Sequence, residues 1–264
     1  MKYSGLVSLL AVAASATKCT AKHTPTTKIA GVEVIYTELV QQALAQIEVF
    51  KPLQPYLYNH LMRSWLYGAA ALNNNATLKA EIDLEVHAVG TLLHDLGWDM
   101  RNDTPWHSLT RPFEVDSGLG AMAWVQERTN DWTAVQLEQM YDGITLQGAA
   151  AYLPGKNINT KWIVQSVEFE FPGPRSPLIP NQYYDSIQAA YTNDTVFRGT
   201  NETFTWLALT KPAGTHGSFI DQFGVAYVSG YGPLTAGTIA FDLITEGVAN
   251  EIANNPNVTF HSNL

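Results

Sequence analysis

Apolar residues recur at helical spacing along almost the whole chain, and that period limits the fold more than any motif does. Leu39, Val40, Ala43, Leu44 and Ile47 form one stripe, closed by Lys51-Pro52. Leu57, Leu61, Trp65, Gly68, Ala69 and Leu72 form a second, ended by the turn Asn73-Asn74-Asn75. A third helix is expected from about residue 81 to 96, stopped at Gly97. Further helices are expected near 115–128, 133–147, 159–170 with Asn159 and Thr160 able to cap its start, 180–191, 202–209, 215–229 and 236–253. No stretch alternates in the manner of a hairpin. The expected class is all-α, a non-parallel helical bundle. With no fixed repeat and no linker tract, residues 31–255 read as one domain, with residues 17–30 and 256–264 as flexible tails.

The chain has 264 residues, of which 46% are apolar, enough for a sizeable core. Lys plus Arg number 15 against 24 Asp plus Glu, a net charge of −9 with no basic run, which excludes a nucleic-acid or anionic-membrane surface. The one cysteine, Cys19, excludes an internal disulfide and a Cys-rich zinc site, so any metal must be held by His and carboxylates. Residues 1–16 read as a secretory signal: Lys2, the apolar run Leu6 to Ala14, and the small-residue cleavage site Ala14-Ser15-Ala16. The run is too short to span a bilayer, so no membrane segment is expected in the mature form. Five Asn-x-Ser/Thr acceptors, at Asn75, Asn102, Asn193, Asn201 and Asn257, fit a secreted, N-glycosylated protein.

Two places carry metal-competent residues on otherwise apolar helix faces: His60 within Tyr58-Asn59-His60-Leu61-Met62-Arg63-Ser64, and His94-Asp95 within Thr91-Leu92-Leu93-His94-Asp95-Leu96-Gly97-Trp98. Neighbours on a helix project about 100° apart, so an adjacent His and Asp at a helix end can both reach a metal near the terminus. Such a pair by itself is equally readable as two ordinary core or surface residues.

The order of the segments adds to this. Asn59-His60-Leu61-Met62-Arg63-Ser64, Leu92-Leu93-His94-Asp95-Leu96-Gly97 and Phe113-Glu114-Val115-Asp116 resemble the HD-domain superfamily of metal-dependent hydrolases, in the branch that includes cyanamide hydratase. Glu170-Phe171-Pro172-Gly173-Pro174 and the segment Phe219 to Gly224 extend the resemblance, which covers about residues 50 to 230. It implies an all-α HD-type bundle with metal ligands at His60, His94 and Asp95, and a fourth at Glu170, where the family pattern carries Asp. Glu168, two residues earlier, points to another side of the same helix. Ile144 to Gly148 resembles the segment where relatives carry Leu-His-Thr; Gln147 there hydrogen-bonds but does not titrate. The resemblance also gives Asp95 a share in the water's proton, has Asp116 and Gln147 orient substrate or water, and leaves Arg63 either to steady an anion or to form a structural salt bridge with Glu114 or Asp116.

Imidazole nitrogens and carboxylates suit a divalent transition ion such as zinc, iron or manganese, with a bound water as the nucleophile. HD phosphohydrolases often follow the pair with a Lys, in His-Asp-x-Gly-Lys; Trp98 stands in that place here. The expected substrate is therefore a small neutral molecule of the nitrile or cyanamide type, with a phosphohydrolase and a catalytically weakened, binding-only relative as the alternatives. His87 is expected in the core or a pocket wall, His107 in a loop and His216 at a helix start, and Tyr183, Tyr184, Trp206 and Phe219 in the core. Oligomeric state is left open.

Overall fold

A computed structural model describes residues 24–170 and 175–232, together with residue 253. Residues 1–16, expected as a secretory signal, Cys19 and His23 of the expected tail, the helix expected near 236–253 except for residue 253, the Asn257 acceptor and His261 lie outside the described residues.

The chain opens with a hairpin. Strand β1 (Thr26–Ile29) pairs antiparallel with β2 (Val32–Ile35), Ile29 opposite Val32 and Thr26 opposite Ile35. Ala30 and Gly31 make the turn with φ of 48° and 81°, both left-handed, as a two-residue loop matched to strand twist requires. The sequence reading placed residues 26–30 in a flexible tail and expected no hairpin. Two four-residue strands are too short to display alternation, and Ala at a left-handed position is no turn signal. Val32 and Val34 are buried, and β2 packs on two helices of the bundle, which holds the hairpin in place.

Ten α-helices follow among the described residues, so the protein is all-α apart from this hairpin. They are α1 (Glu38–Ile47), α2 (Pro55–Asn73), α3 (Ala76–Glu81), α4 (Leu84–Leu93), α5 (Phe113–Gln126), α6 (Ala134–Thr145), α7 (Ile158–Glu168), α8 (Asn181–Ala190), α9 (Val196–Thr210) and α10 (Asp221–Tyr227). Many of the ends are written in the sequence. The Thr37 hydroxyl accepts from the Val40 amide at the start of α1, Asp83 accepts from the Glu85 and Val86 amides at the start of α4, and Thr133 with Gln136 forms a capping box on α6. The Asp83 cap also divides the helix expected over 81–96: α3 ends before it and α4 begins after it.

Helix α2 is the centre of the bundle. From Tyr56 to Leu72 nearly every side chain is buried, and α4, α7, α8 and α9 pack around it. Full burial of residues such as Leu61, Trp65 and Leu66 contributes about 1.5–3 kcal/mol each. Gly68 makes the closest crossing possible. A β-carbon there would run into Ser166 of α7 and His87 of α4, whose side chains hydrogen-bond to each other at 3.0 Å. His87 is thus a core residue, its pKa pushed down to about 3 by burial.

At the C-terminal end of α4 the chain leaves the helix. His94 keeps helical angles, Asp95 departs from them (φ −116°, ψ 31°), and a 3-10 turn over Leu96–Trp98 carries the chain to a loop before α5. The acceptor residues Asn75, Asn102 and Asn193 are exposed, whereas Asn201 sits within α9 and its Thr203 is fully buried.

Candidate metal centre

His60 comes from the middle of α2, His94 and Asp95 from the end of α4, and the packing of these two helices brings the three together. His60 Nε2 lies 3.1 Å from His94 Nε2, and Asp95 Oδ2 lies 3.2 Å from both. All three side chains are buried, and they form a group able to hold a metal ion. Donors about 2.1 Å from an ion are separated by about 3.0 Å at octahedral and about 3.4 Å at tetrahedral angles, and the observed spacings fall between.

The hydrogen-bond pattern says more than the distances. His94 Nδ1 is 2.7 Å from the Thr91 carbonyl oxygen, which can only accept, so Nδ1 carries a proton and Nε2 is the ring atom turned to the group. The His60 and His94 rings are the hydrogen-bonding and charge partners of the buried Asp95 carboxylate. Burial raises the Asp95 pKa, but the adjacent His94 and His60 rings outweigh it and hold the carboxyl down at about 2. Two imidazole nitrogens around an ionised, buried carboxylate are donors that a divalent cation could take up. Trp98 stacks on the His60 ring at 5.8 Å and 10°, fixing its plane.

Beside the triad lies a cavity of about 390 Å³. His60, Asp95, Gln147 and Glu168 are its polar wall; Trp98, Phe113, Val164, Val167, Phe204, Phe219 and Phe223 are its apolar wall, with Gly148 between. Gln147 is buried, and its amide NH₂ donates to the His94 carbonyl at 2.8 Å, which leaves the amide oxygen to accept. Gln147 therefore ties the end of α6 to the His94-Asp95 turn.

Other residues that the sequence assigned to this site are held elsewhere. Both oxygens of Glu170 are engaged by Arg63, at 2.8 and 2.7 Å from Nε with Nη2 also donating, and Glu170 is not in the metal-competent group. Arg63 completes its donors on the Tyr191 and Thr192 carbonyls and is fully buried, so of the two sequence readings it takes the structural salt bridge, with Glu170 as partner. The extra methylene of Glu relative to Asp gives this carboxylate the reach to be claimed by the guanidinium. Asp116 is likewise occupied: Lys211, Arg111 and the Ser108 amide and hydroxyl all bind it, at the junction of α5, α9 and the loop before α5. It takes no part in the cavity wall. The carboxylate in the wall besides Asp95 is Glu168, which burial shifts upward in pKa.

Glu114 is a residue the sequence reading passed over except as a partner for Arg63. It is buried in the first turn of α5 with Oε2 unpartnered among the described residues. Burial raises its pKa to about 7, the bond to its own backbone lowers it, the Asp95 charge raises it and the Lys211 charge lowers it. The signal was present in the Phe113-Glu114-Val115-Asp116 segment, as an acid between two apolar side chains. His107 reaches the Gly97 carbonyl at 2.9 Å and packs on Trp206, and His216 pairs with Asp221 at 3.1 Å, so both are structural. Phe219 is not in the core: it is 45% exposed at the cavity.

Compared with known proteins, the chain matches no protein-family model and no curated protein.

Proposed function

We propose that the protein is a metal-dependent hydrolase or hydratase of the HD-domain superfamily, adding water to a small uncharged carbon–nitrogen electrophile of the nitrile type. The observation that carries this reading is the buried His60, His94 and Asp95 triangle, whose donor atoms lie 3.1–3.2 Å apart. Two imidazole nitrogens and one carboxylate oxygen suit zinc, iron or manganese. The metal, when bound, would supply a water whose pKa falls towards about 7 and an electrophilic contact for the substrate.

The chain's own residues do the rest. His94 is held in register by Thr91, His60 by Trp98, and Gln147 offers an amide oxygen that can accept from the attacking water or from the developing amide nitrogen. Glu168 provides the titratable group that relatives place at the position of Gln147, and stands in the same wall. A phosphohydrolase is disfavoured because no Lys or Arg is among the described residues lining the cavity, and Arg63, Arg111 and Lys211 are each committed to a carboxylate. The secretory signal and the acceptor residues support a secreted glycoprotein acting on a small molecule outside the cell.

Metal analysis of gently purified protein, with His94→Ala as the control, tests the reading. About one equivalent of transition metal in the wild type and loss of it in the variant is expected. Less than about a tenth of an equivalent in the wild type, with no uptake from added zinc, iron or manganese, would leave only the binding-protein alternative.

A further inference from the structure

We infer that the substrate carries an apolar group of about aryl size next to its reacting carbon, seated in the aromatic half of the cavity. This rests on the nitrile-hydration reading for the reacting end of the molecule and specifies the other end.

Size is the first argument. A molecule of three heavy atoms, such as cyanamide, takes up roughly the space of two or three waters, about 60–90 Å³, and would leave most of the 390 Å³ cavity unfilled. The remainder is walled by rings that water solvates poorly. Rigidity is the second. Trp98, Phe113, Phe204, Phe219 and Phe223 come from four separate elements, and they brace one another edge to face. Phe204 meets Trp98 at 5.0 Å, Phe219 at 5.4 Å and Phe223 at 5.1 Å, and Phe113 meets Phe219 at 6.0 Å. A chamber braced in this way does not close on a small ligand, and its geometry is the one aromatic rings prefer around another ring. Polarity is the third. His60, Asp95, Gln147 and Glu168 are the titratable and amide side chains among the described lining residues, no Lys or Arg is among them, and the aromatic half carries no charged side chain, so the occupant is uncharged on its apolar side. Phe219, 45% exposed beside this chamber, is the ring that gains most cover from an occupant.

The reaction balances without a further reactant. Water oxygen forms a bond to the nitrile carbon as one carbon–nitrogen π bond breaks and one water hydrogen passes to nitrogen, giving the imidic acid; the second hydrogen then moves from oxygen to nitrogen as the remaining carbon–nitrogen π bond gives way to a carbon–oxygen π bond, giving the primary amide. The aryl group is untouched and serves to hold the carbon at the metal-side wall.

The test uses the metal-loaded protein and separates binding from turnover. Calorimetry with phenylacetamide, an amide product that cannot react further, is compared with acetamide. In parallel, hydration of phenylacetonitrile is compared with that of acetonitrile and cyanamide. Phenylacetamide is expected to bind and acetamide to show no saturation over the same range, and phenylacetonitrile is expected to exceed acetonitrile by about 100-fold or more in kcat/KM. Val164→Trp, which fills the chamber, should weaken phenylacetamide at least tenfold with metal content unchanged. If that variant fails to fold, Phe223→Ala, which opens the apolar wall, should weaken it as well. Equal binding of the two amides, no binding of either, or preferred turnover of cyanamide would overturn the inference. Binding of phenylacetamide with no hydration of any nitrile would instead overturn the proposed reaction and leave the chamber's ligand class standing.

Discussion

His94 Nε2 and Asp95 Oδ2 face each other at 3.2 Å, and the other nitrogen of the His94 ring donates to the Thr91 carbonyl, 2.7 Å away. Two donor atoms held this close by a helix end can share a cation. Metal removal should therefore destabilise the protein. A ligand present at about 100 times its dissociation constant adds about 2.7 kcal/mol to stability, or about 5–10 °C in Tm for a domain of this size. Chelation of the wild type should lower Tm by that order, measured by calorimetry, while His94→Ala should melt at the same temperature with or without chelator. A chelator response retained by His94→Ala would place the metal elsewhere.

The buried pair Lys211 and Asp116 ties the end of α9 to the start of α5, with both side chains almost fully enclosed. Removing the ammonium leaves a buried carboxylate served only by the half-exposed Arg111 and by Ser108. Lys211→Met should cost about 3 kcal/mol, and the double variant Lys211→Met with Asp116→Asn should cost clearly less than the two single changes added together. Urea denaturation of all four proteins reads this directly; additive costs would show that the two side chains do not act as a pair.

Glu114 gives a pH dependence of known sign. Its folded pKa, about 7, lies above the ordinary carboxyl value of 4.5, so the folded state holds a proton that the unfolded state releases between these values. Stability from this group is complete below about pH 4.5 and is lost as pH rises to about 7, by an amount on the order of 3 kcal/mol. The groups that act on it are Asp95, which favours the neutral acid, and Lys211, which opposes it. In chelated protein, Glu114→Gln should remove this component of the decline, because the amide stays neutral throughout. Identical slopes in wild type and variant over that range would refute the assignment.

Gly68→Ala should destabilise, against the usual gain of up to about 1 kcal/mol for this change inside a helix. The added methyl meets the Ser166 and His87 side chains where α2 crosses α7 and α4. A loss of about 1–3 kcal/mol is expected in chemical denaturation. A gain would mean that the three helices separate there at little cost.

How much of this was legible beforehand differs from residue to residue. Apolar period gave α1, α2 and α5 to α8 to within a few residues, because it acts within a turn of where it stands; α9 begins at Val196, six residues before the expected start, and α7 is capped by Asn157, with the expected caps Asn159 and Thr160 inside the helix. The same local logic put His94 and Asp95 at a helix end, and the structure puts His60 against them. The hairpin escaped because its turn depends on Ala30 adopting a left-handed conformation, which the burial of Val32 and Val34 against α2 and α4 supports from outside the segment.

What only the tertiary structure decided is the pairing of charges and the shape of the cavity. Glu168 and Glu170 are equivalent carboxylates in a string of residues; in three dimensions one lines the cavity and the other is held by Arg63, more than a hundred positions away. Asp116 stands in the motif where a substrate contact was expected, yet Lys211, far along the chain, claims it. The aromatic chamber is assembled from the turn after α4 and from α5, α9 and the approach to α10, rings whose spacing in sequence says nothing of their proximity. A buried charge takes whichever opposite charge packing brings within reach, and a cavity is what packing leaves unfilled. Both are properties of the assembled bundle, whereas helix periods, caps and the His-Asp turn are properties of a few consecutive residues.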